Sequence, residues 1–126
     1  LPGGTERILL VDDEQGLTDM MGDMLVNLGY TVDASQNPEK ALETFKGSPF
    51  QFDLVITDMT MPRLNGLELC TEIKKIRREI PVIICTGQTN QLNPDFFDTI
   101  DIAAVIMKPV TTLDMAQTIR KVLDQS

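Results

Sequence analysis

The sequence has 126 residues, enough for one domain with its own hydrophobic core and too few for two ordinary ones. Hydrophobic residues make up 42% and charged residues 24%, a globular balance; 19 acidic against 11 basic residues leave a net charge of −8, which argues against direct binding of DNA or RNA. Histidine is absent, excluding a histidine-ligated metal, a Ser-His-Asp triad and a histidine phosphodonor, and no apolar run approaches the ~20 residues of a membrane span.

Residues 1–6, Leu1-Pro2-Gly3-Gly4-Thr5-Glu6, are polar and glycine-rich, unlike a signal peptide, and are expected to be a linker ahead of a domain covering 7–126. Arg7 to Val11 is the first apolar, β-branched run and predicts a strand. Leu17, Met20, Met21, Met24, Leu25 and Leu28 recur at helical spacing, and Gly29 is placed to end that helix. Tyr30 to Ala34 predicts a second strand. Asn37-Pro38 is an N-cap followed by proline at the first helical position, opening a helix through Phe45. Asp53 to Thr57 is the third strand, and Leu69, Ile73 and Ile76 mark a helix after Gly66. Pro81 to Cys85 is the fourth strand. Asn93-Pro94 predicts the start of a weak helix, short and with uncertain ends, in which Phe96, Phe97 and Ile100 would face inward. Ala103 to Met107 is the fifth strand, and Leu113, Ala116, Ile119, Val122 and Leu123 mark the last helix. Cys70 and Cys85 lack metal-type spacing and sit among apolar residues, as reduced structural thiols of a cytoplasmic protein would.

Three of the strands, centred on Ile8-Leu9-Leu10-Val11, Leu54-Val55-Ile56 and Val82-Ile83-Ile84, are almost continuously apolar, as strands buried on both faces are. Five strands alternating with five helices predict a doubly wound α/β domain. Right-handed crossovers then gather all strand carboxyl ends on one edge, where such folds bind ligands.

The residues at those ends are Asp12, Asp13 and Glu14 after the first strand, Asp58 after the third, Thr86 and Gly87 after the fourth, and Lys108-Pro109 after the fifth. Singly, each has an ordinary explanation: an acidic pair caps a helix, a lone Asp makes a turn, a Thr is a loop residue. Together they converge three carboxylates, a hydroxyl and an ammonium. Clustered carboxylates repel unless a cation joins them, and oxygen-only ligands suit Mg²⁺. A lysine can neutralise phosphoryl oxygens, a threonine hydroxyl can donate to another, and a carboxylate can form an acyl phosphate.

The stretches Ile8-Leu9-Leu10-Val11-Asp12-Asp13-Glu14, Asp53 through Gly66 (with Asp58-Met59-Thr60-Met61-Pro62), Pro81 through Gly87, and Met107-Lys108-Pro109 resemble the receiver domains of bacterial two-component response regulators and hybrid histidine kinases. The resemblance implies a flavodoxin-like (βα)5 fold with a five-stranded parallel sheet of order 2-1-3-4-5. It implies that Asp58 is the phosphoacceptor, that Asp13 and Asp58 contact Mg²⁺ directly, that Asp12 assists through water, and that the Thr60 carbonyl completes the protein ligands. Thr86 would bind the phosphoryl group in the activated state, Lys108 would pair with it, Gly87 would leave room, and Lys108-Pro109 would be cis. The donor would be a histidine kinase or a histidine phosphotransfer domain, and the chain a monomer or weak dimer with no membrane contact. The resemblance further implies a self-catalysed transfer to Asp58 followed by slow dephosphorylation, tuned by Thr60 and Gln88, rather than enzymatic turnover. One departure stands out. The family usually carries Tyr or Phe three residues before this lysine, and here the residue is Val105, which implies that the aromatic readout is missing. The segment Pro2-Gly3-Gly4-Thr5 also resembles the joint ahead of C-terminal receivers of hybrid kinases.

Three alternatives share features with this reading. A degenerate receiver would dock without chemistry. An aspartyl phosphatase of the haloacid-dehalogenase type would need an acid where Thr60 stands. A flavodoxin-like FMN carrier would find phosphate repelled by Asp12, Asp13 and Glu14.

Overall fold

A computed structural model describes residues 1–87 and 101–125. The strands are β1 (Arg7–Val11), β2 (Thr31–Ser35), β3 (Leu54–Asp58), β4 (Val82–Thr86) and β5 (Ala104–Met107), all parallel, in the order β2-β1-β3-β4-β5. The described helices are α1 (Gln15–Asn27), α2 (Pro38–Gly47), α3 (Gly66–Ile76) and α4 (Thr112–Leu123). The helix expected after Asn93-Pro94, and Gln88, lie outside the described residues.

Alternation along the strands divides the core in two. Leu9, Val11, Val55, Val82 and Ile84 face α2 and α3, meeting Ala41, Phe45, Leu69, Cys70 and Ile73. Ile8, Leu10, Leu54, Ile56, Ile83 and Ile106 face α1 and α4, meeting Met21, Leu25, Met115 and Ile119. Every residue of β3 and β4 is buried, which is why the runs Leu54-Val55-Ile56 and Val82-Ile83-Ile84 are apolar without alternation.

Local chemistry sets the helix starts. The Asn37 side chain accepts from the amides of Glu39 and Lys40, with Pro38 at the first helical position. Asn65 and Glu68 form a reciprocal capping box at the start of α3. Gly29, with φ 103°, follows the C-cap of α1. The sheet departs from the sequence expectation by one residue at several ends. β2, β3 and β4 each begin and end one position later, so Asp58 and Thr86 are the last residues of their strands, and β5 starts at Ala104. Pairing decides this: Asp58 is in register with Cys85, and Thr86 with Met107. A short 3-10 turn, Pro49–Gln51, was not anticipated. Met20, Ile76 and Leu113 belong to the periodic patterns of their helices and are exposed, because helical periodicity marks the centre of a buried stripe better than its margins.

Candidate functional site

Parallel strands with helical crossovers deliver Asp12, Asp58, Thr86 and Lys108 to one sheet edge. β1 ends at Val11, and the Asp12 amide still donates to the Ser35 carbonyl at 3.1 Å, so Asp12 extends the sheet and its side chain is held inward with no exposed surface. Asp13, one residue on, is exposed. One oxygen from each of Asp12, Asp13 and Asp58 lies within 4.8 Å of the others. All are hard oxygen donors with no nitrogen or thiolate among them, so the donor set fits Mg²⁺.

Lys108 is the counter-charge. Its Nζ lies 2.9 Å from Asp58 Oδ1 and 3.5 Å from Asp12 Oδ2. It is aimed by the backbone: the Lys108 amide donates to the Thr86 carbonyl at 2.9 Å, and the Lys108–Pro109 peptide is cis, as the resemblance implied. Thr86 is buried at the end of β4, directly beside β5.

Electrostatics follow from burial. Desolvation pushes the Asp12 carboxyl above its usual value; the Glu14 amide opposes this, the Asp58 charge adds to it, and Lys108 again opposes it. Desolvation alone would lower the Lys108 ammonium, but its hydrogen bond to Asp58 and the charges of Asp12 and Asp58 outweigh that and hold it above the ordinary lysine range. The site thus keeps a cation at neutral pH and is still short of positive charge.

The ordinary explanation of the acidic pair is partly realised as well. Asp12 Oδ1 accepts from the Glu14 amide at 2.9 Å, closing a turn two residues long ahead of α1, which has no side-chain cap of its own, while its other oxygen faces Lys108. Asp58 Oδ1 likewise accepts from the Met59 amide at 3.0 Å. Thr60 is exposed on the loop after β3, where Met59, Thr60, Met61 and Asn65 line an open cavity of about 350 Å³. Gly66 closes that loop: its amide donates to the Met59 carbonyl at 2.9 Å, and a Cβ there would strike the Asp58 carbonyl oxygen. Gly87 is different. Among the described residues, a Cβ there would meet only Lys108 Cβ, at 3.9 Å, an ordinary contact distance. Val105 is partly buried and in register with Ile84.

Sequence reasoning overlooked Thr18. Its hydroxyl donates to the carbonyl oxygens of Asp12 at 2.7 Å and Glu14 at 3.0 Å, fastening α1 beneath the acidic loop. The available signal was a threonine on the apolar side of α1, beside Leu17 and Met21.

The sequence profile of the response regulator receiver domain matches residues 8–120. The chain is 38% identical over 85 residues to a putative two-component response regulator, ARR21, of Arabidopsis thaliana, covering 68% of this chain and 14% of that protein. It is 31% identical over 120 residues to the transcriptional regulatory protein GlrR of Escherichia coli, covering 95% of this chain and 27% of that protein. The chain therefore spans a minor part of both relatives. Among solved structures, a response regulator receiver domain protein of Clostridium thermocellum superposes with a TM-score of 0.89 at 31% identity, with 95% of each chain covered. The response regulator TrrA of Thermotoga maritima, solved with Mg²⁺ and BeF, has a TM-score of 0.84 at 28% identity, covering 94% of this chain and 100% of that one. With sequence profile, strand order and edge chemistry in agreement, this chain belongs to the response regulator receiver domain family of two-component systems.

Proposed function

We propose that this domain accepts a phosphoryl group on Asp58, with Mg²⁺ held by Asp12, Asp13, Asp58 and the Thr60 carbonyl. The observation that carries the reading is the Asp58 carboxylate. It closes β3 against the Lys108 ammonium at 2.9 Å, and its carboxylate neighbours Asp12 and Asp13 lie within 4.8 Å. The donor is a phosphohistidine of a histidine kinase or a histidine phosphotransfer domain in the cytoplasm. An Asp58 carboxylate oxygen attacks phosphorus, a P–O bond forms, the P–N bond breaks, and the imidazole leaves with a proton from solvent. Bound Mg²⁺ would supply positive charge to the phosphoryl oxygens and relieve the carboxylate repulsion. Lys108 neutralises a further phosphoryl oxygen as a point charge, and the Thr86 hydroxyl donates to another. Thr60, exposed beside Asp58, is placed to influence how water reaches the acyl phosphate.

The test uses acetyl phosphate with Mg²⁺ and intact-mass spectrometry. One base-labile phosphoryl group is expected on the wild type and none on Asp58→Asn. Equal labelling of the variant overturns the assignment. No labelling of either would favour a docking-only receiver, and sustained turnover of a generic phosphate monoester would favour a phosphatase.

A further inference from the structure

At the edge opposite the site, the chain enters the domain in a way its composition does not suggest. Gly3-Gly4-Thr5-Glu6 has the residues of a flexible joint and the bonds of a docked element. The Gly4 amide donates to the Leu28 carbonyl at 3.1 Å, and the Glu6 carbonyl accepts from the Thr31 amide at 3.1 Å. The approach is too close for side chains: a Cβ on Gly3 would strike the Leu28 carbonyl oxygen, and one on Gly4 would strike the Arg120 guanidinium and the Glu6 carboxylate. Gly29, facing it, has φ 103°, and a Cβ there would meet the Gly4 carbonyl oxygen. Gly3 and Gly29 thus sit where a Cβ would meet backbone, and Gly4 where it would meet the Arg120–Glu6 pair.

Arg120 of α4 clasps this segment. Its Nη1 and Nη2 donate to the two Glu6 carboxylate oxygens, each at 2.9 Å, and Nη1 also reaches the Gly3 carbonyl and the Tyr30 hydroxyl, each at 3.4 Å. The same guanidinium holds Asp124 just past the end of α4, with Nη2 at 2.7 Å and Nε at 3.4 Å. A bidentate, charge-assisted pair of this kind fixes geometry as well as proximity. The chain entering the domain and the end of its last helix therefore meet at one side chain.

We propose that Gly3–Glu6 is a strap that couples the path of the entering chain to the C-terminal end of α4, with Arg120 as the clasp. Displacing the strap loosens the end of α4 and the α1–β2 corner, while the acidic edge stays intact. A change in the direction from which the chain enters would then be felt by α4 without passing through Asp58.

Amide hydrogen exchange by NMR on the 126-residue chain tests this. In Arg120→Met, the amides of Gly4, Thr31 and Asp124 should lose protection by about tenfold or more, while Met59 and Gly66 beside the site keep theirs. The decisive variant is Gly3→Ala, whose added methyl meets the Leu28 backbone first. Coupling requires that its Asp124 amide also exchange faster. Faster exchange confined to the strap in Gly3→Ala, or a Gly4 amide already unprotected in the wild type, overturns the proposal.

Discussion

Lys108→Met keeps most of the aliphatic stem and removes the cation facing two nearly dry carboxylates. The side chains of Lys108, Asp58 and Asp12 are 22%, 10% and 1% exposed, so solvent screens these pairs weakly. At separations of 2.9 Å and 3.5 Å and an effective dielectric of ~20, Coulomb's law puts the two attractions at about 5.7 and 4.7 kcal/mol. Most of that is offset in the wild type by desolvation of the ammonium, which the variant is spared, so the expected net loss is about 3–5 kcal/mol. Repulsion between Asp12 and Asp58 then has no counter-charge and can be relieved by protonation or by a metal. The Asp12 carboxyl, already raised above its usual 3.8 by burial, is the group to protonate. A raised folded pKa stabilises the fold fully below the unfolded value and loses that contribution as pH rises through the folded one. The deficit of Lys108→Met should therefore be largest near neutrality and shrink as pH falls through the folded value of Asp12. Urea unfolding followed by circular dichroism, at neutral and mildly acidic pH and with or without millimolar Mg²⁺, measures all three effects. Mg²⁺ should recover more stability in the variant than in the wild type, because the ion replaces the missing charge. A stability within ~0.5 kcal/mol of wild type at neutral pH without Mg²⁺, or a deficit indifferent to Mg²⁺, refutes the reasoning.

Gly66→Ala forces a methyl against the Asp58 carbonyl oxygen, and urea unfolding should show a loss of about 1–3 kcal/mol together with slower labelling by acetyl phosphate; unchanged values in both would show the contact to be slack. Burial pushes the Cys70 thiol up to about 11 and the Cys85 thiol up to about 12. Neither should react with a thiol reagent at mildly alkaline pH until urea is added, and prompt labelling of the native protein would contradict that. The hydrogen bond from Arg120 holds the Glu6 carboxyl below its usual 4.5, so its contribution is present above that value and lost as pH falls through the lower folded one. Glu6→Gln should flatten the stability profile across that acid window, and parallel profiles would count against the clasp.

Much of the fold is legible locally. The apolar runs of β1, β3 and β4 need no partner to be recognised, and Asn37-Pro38 caps α2 through bonds to Glu39 and Lys40 only two and three residues away. The strand order came from resemblance, since periodicity says that strands are buried and not which ones adjoin. The site residues were legible for a topological reason: parallel strands put every carboxyl end on one edge, so Asp12, Asp13, Asp58, Thr86 and Lys108 could be named from their positions. Their inequality was not legible. Asp12 and Asp13 are neighbours of identical chemistry, yet Asp12, whose amide continues the sheet by bonding to Ser35, is dry and Asp13 is left in solvent. Lys108 lies closer to Asp58 than to Asp12, a difference of distance that exists only in the folded chain. Thr18 and Arg77 show the same limit, the latter donating to the Pro49 and Phe52 carbonyls to hold a turn that composition did not announce. The clearest case is the entering segment. Two glycines beside a proline have the local conformational freedom of a joint, and local freedom is what a sequence displays. Whether that freedom is used for mobility or for close approach depends on Leu28, Gly29 and Arg120, which lie far along the chain and reach Gly3, Gly4 and Glu6 only after the helices have packed.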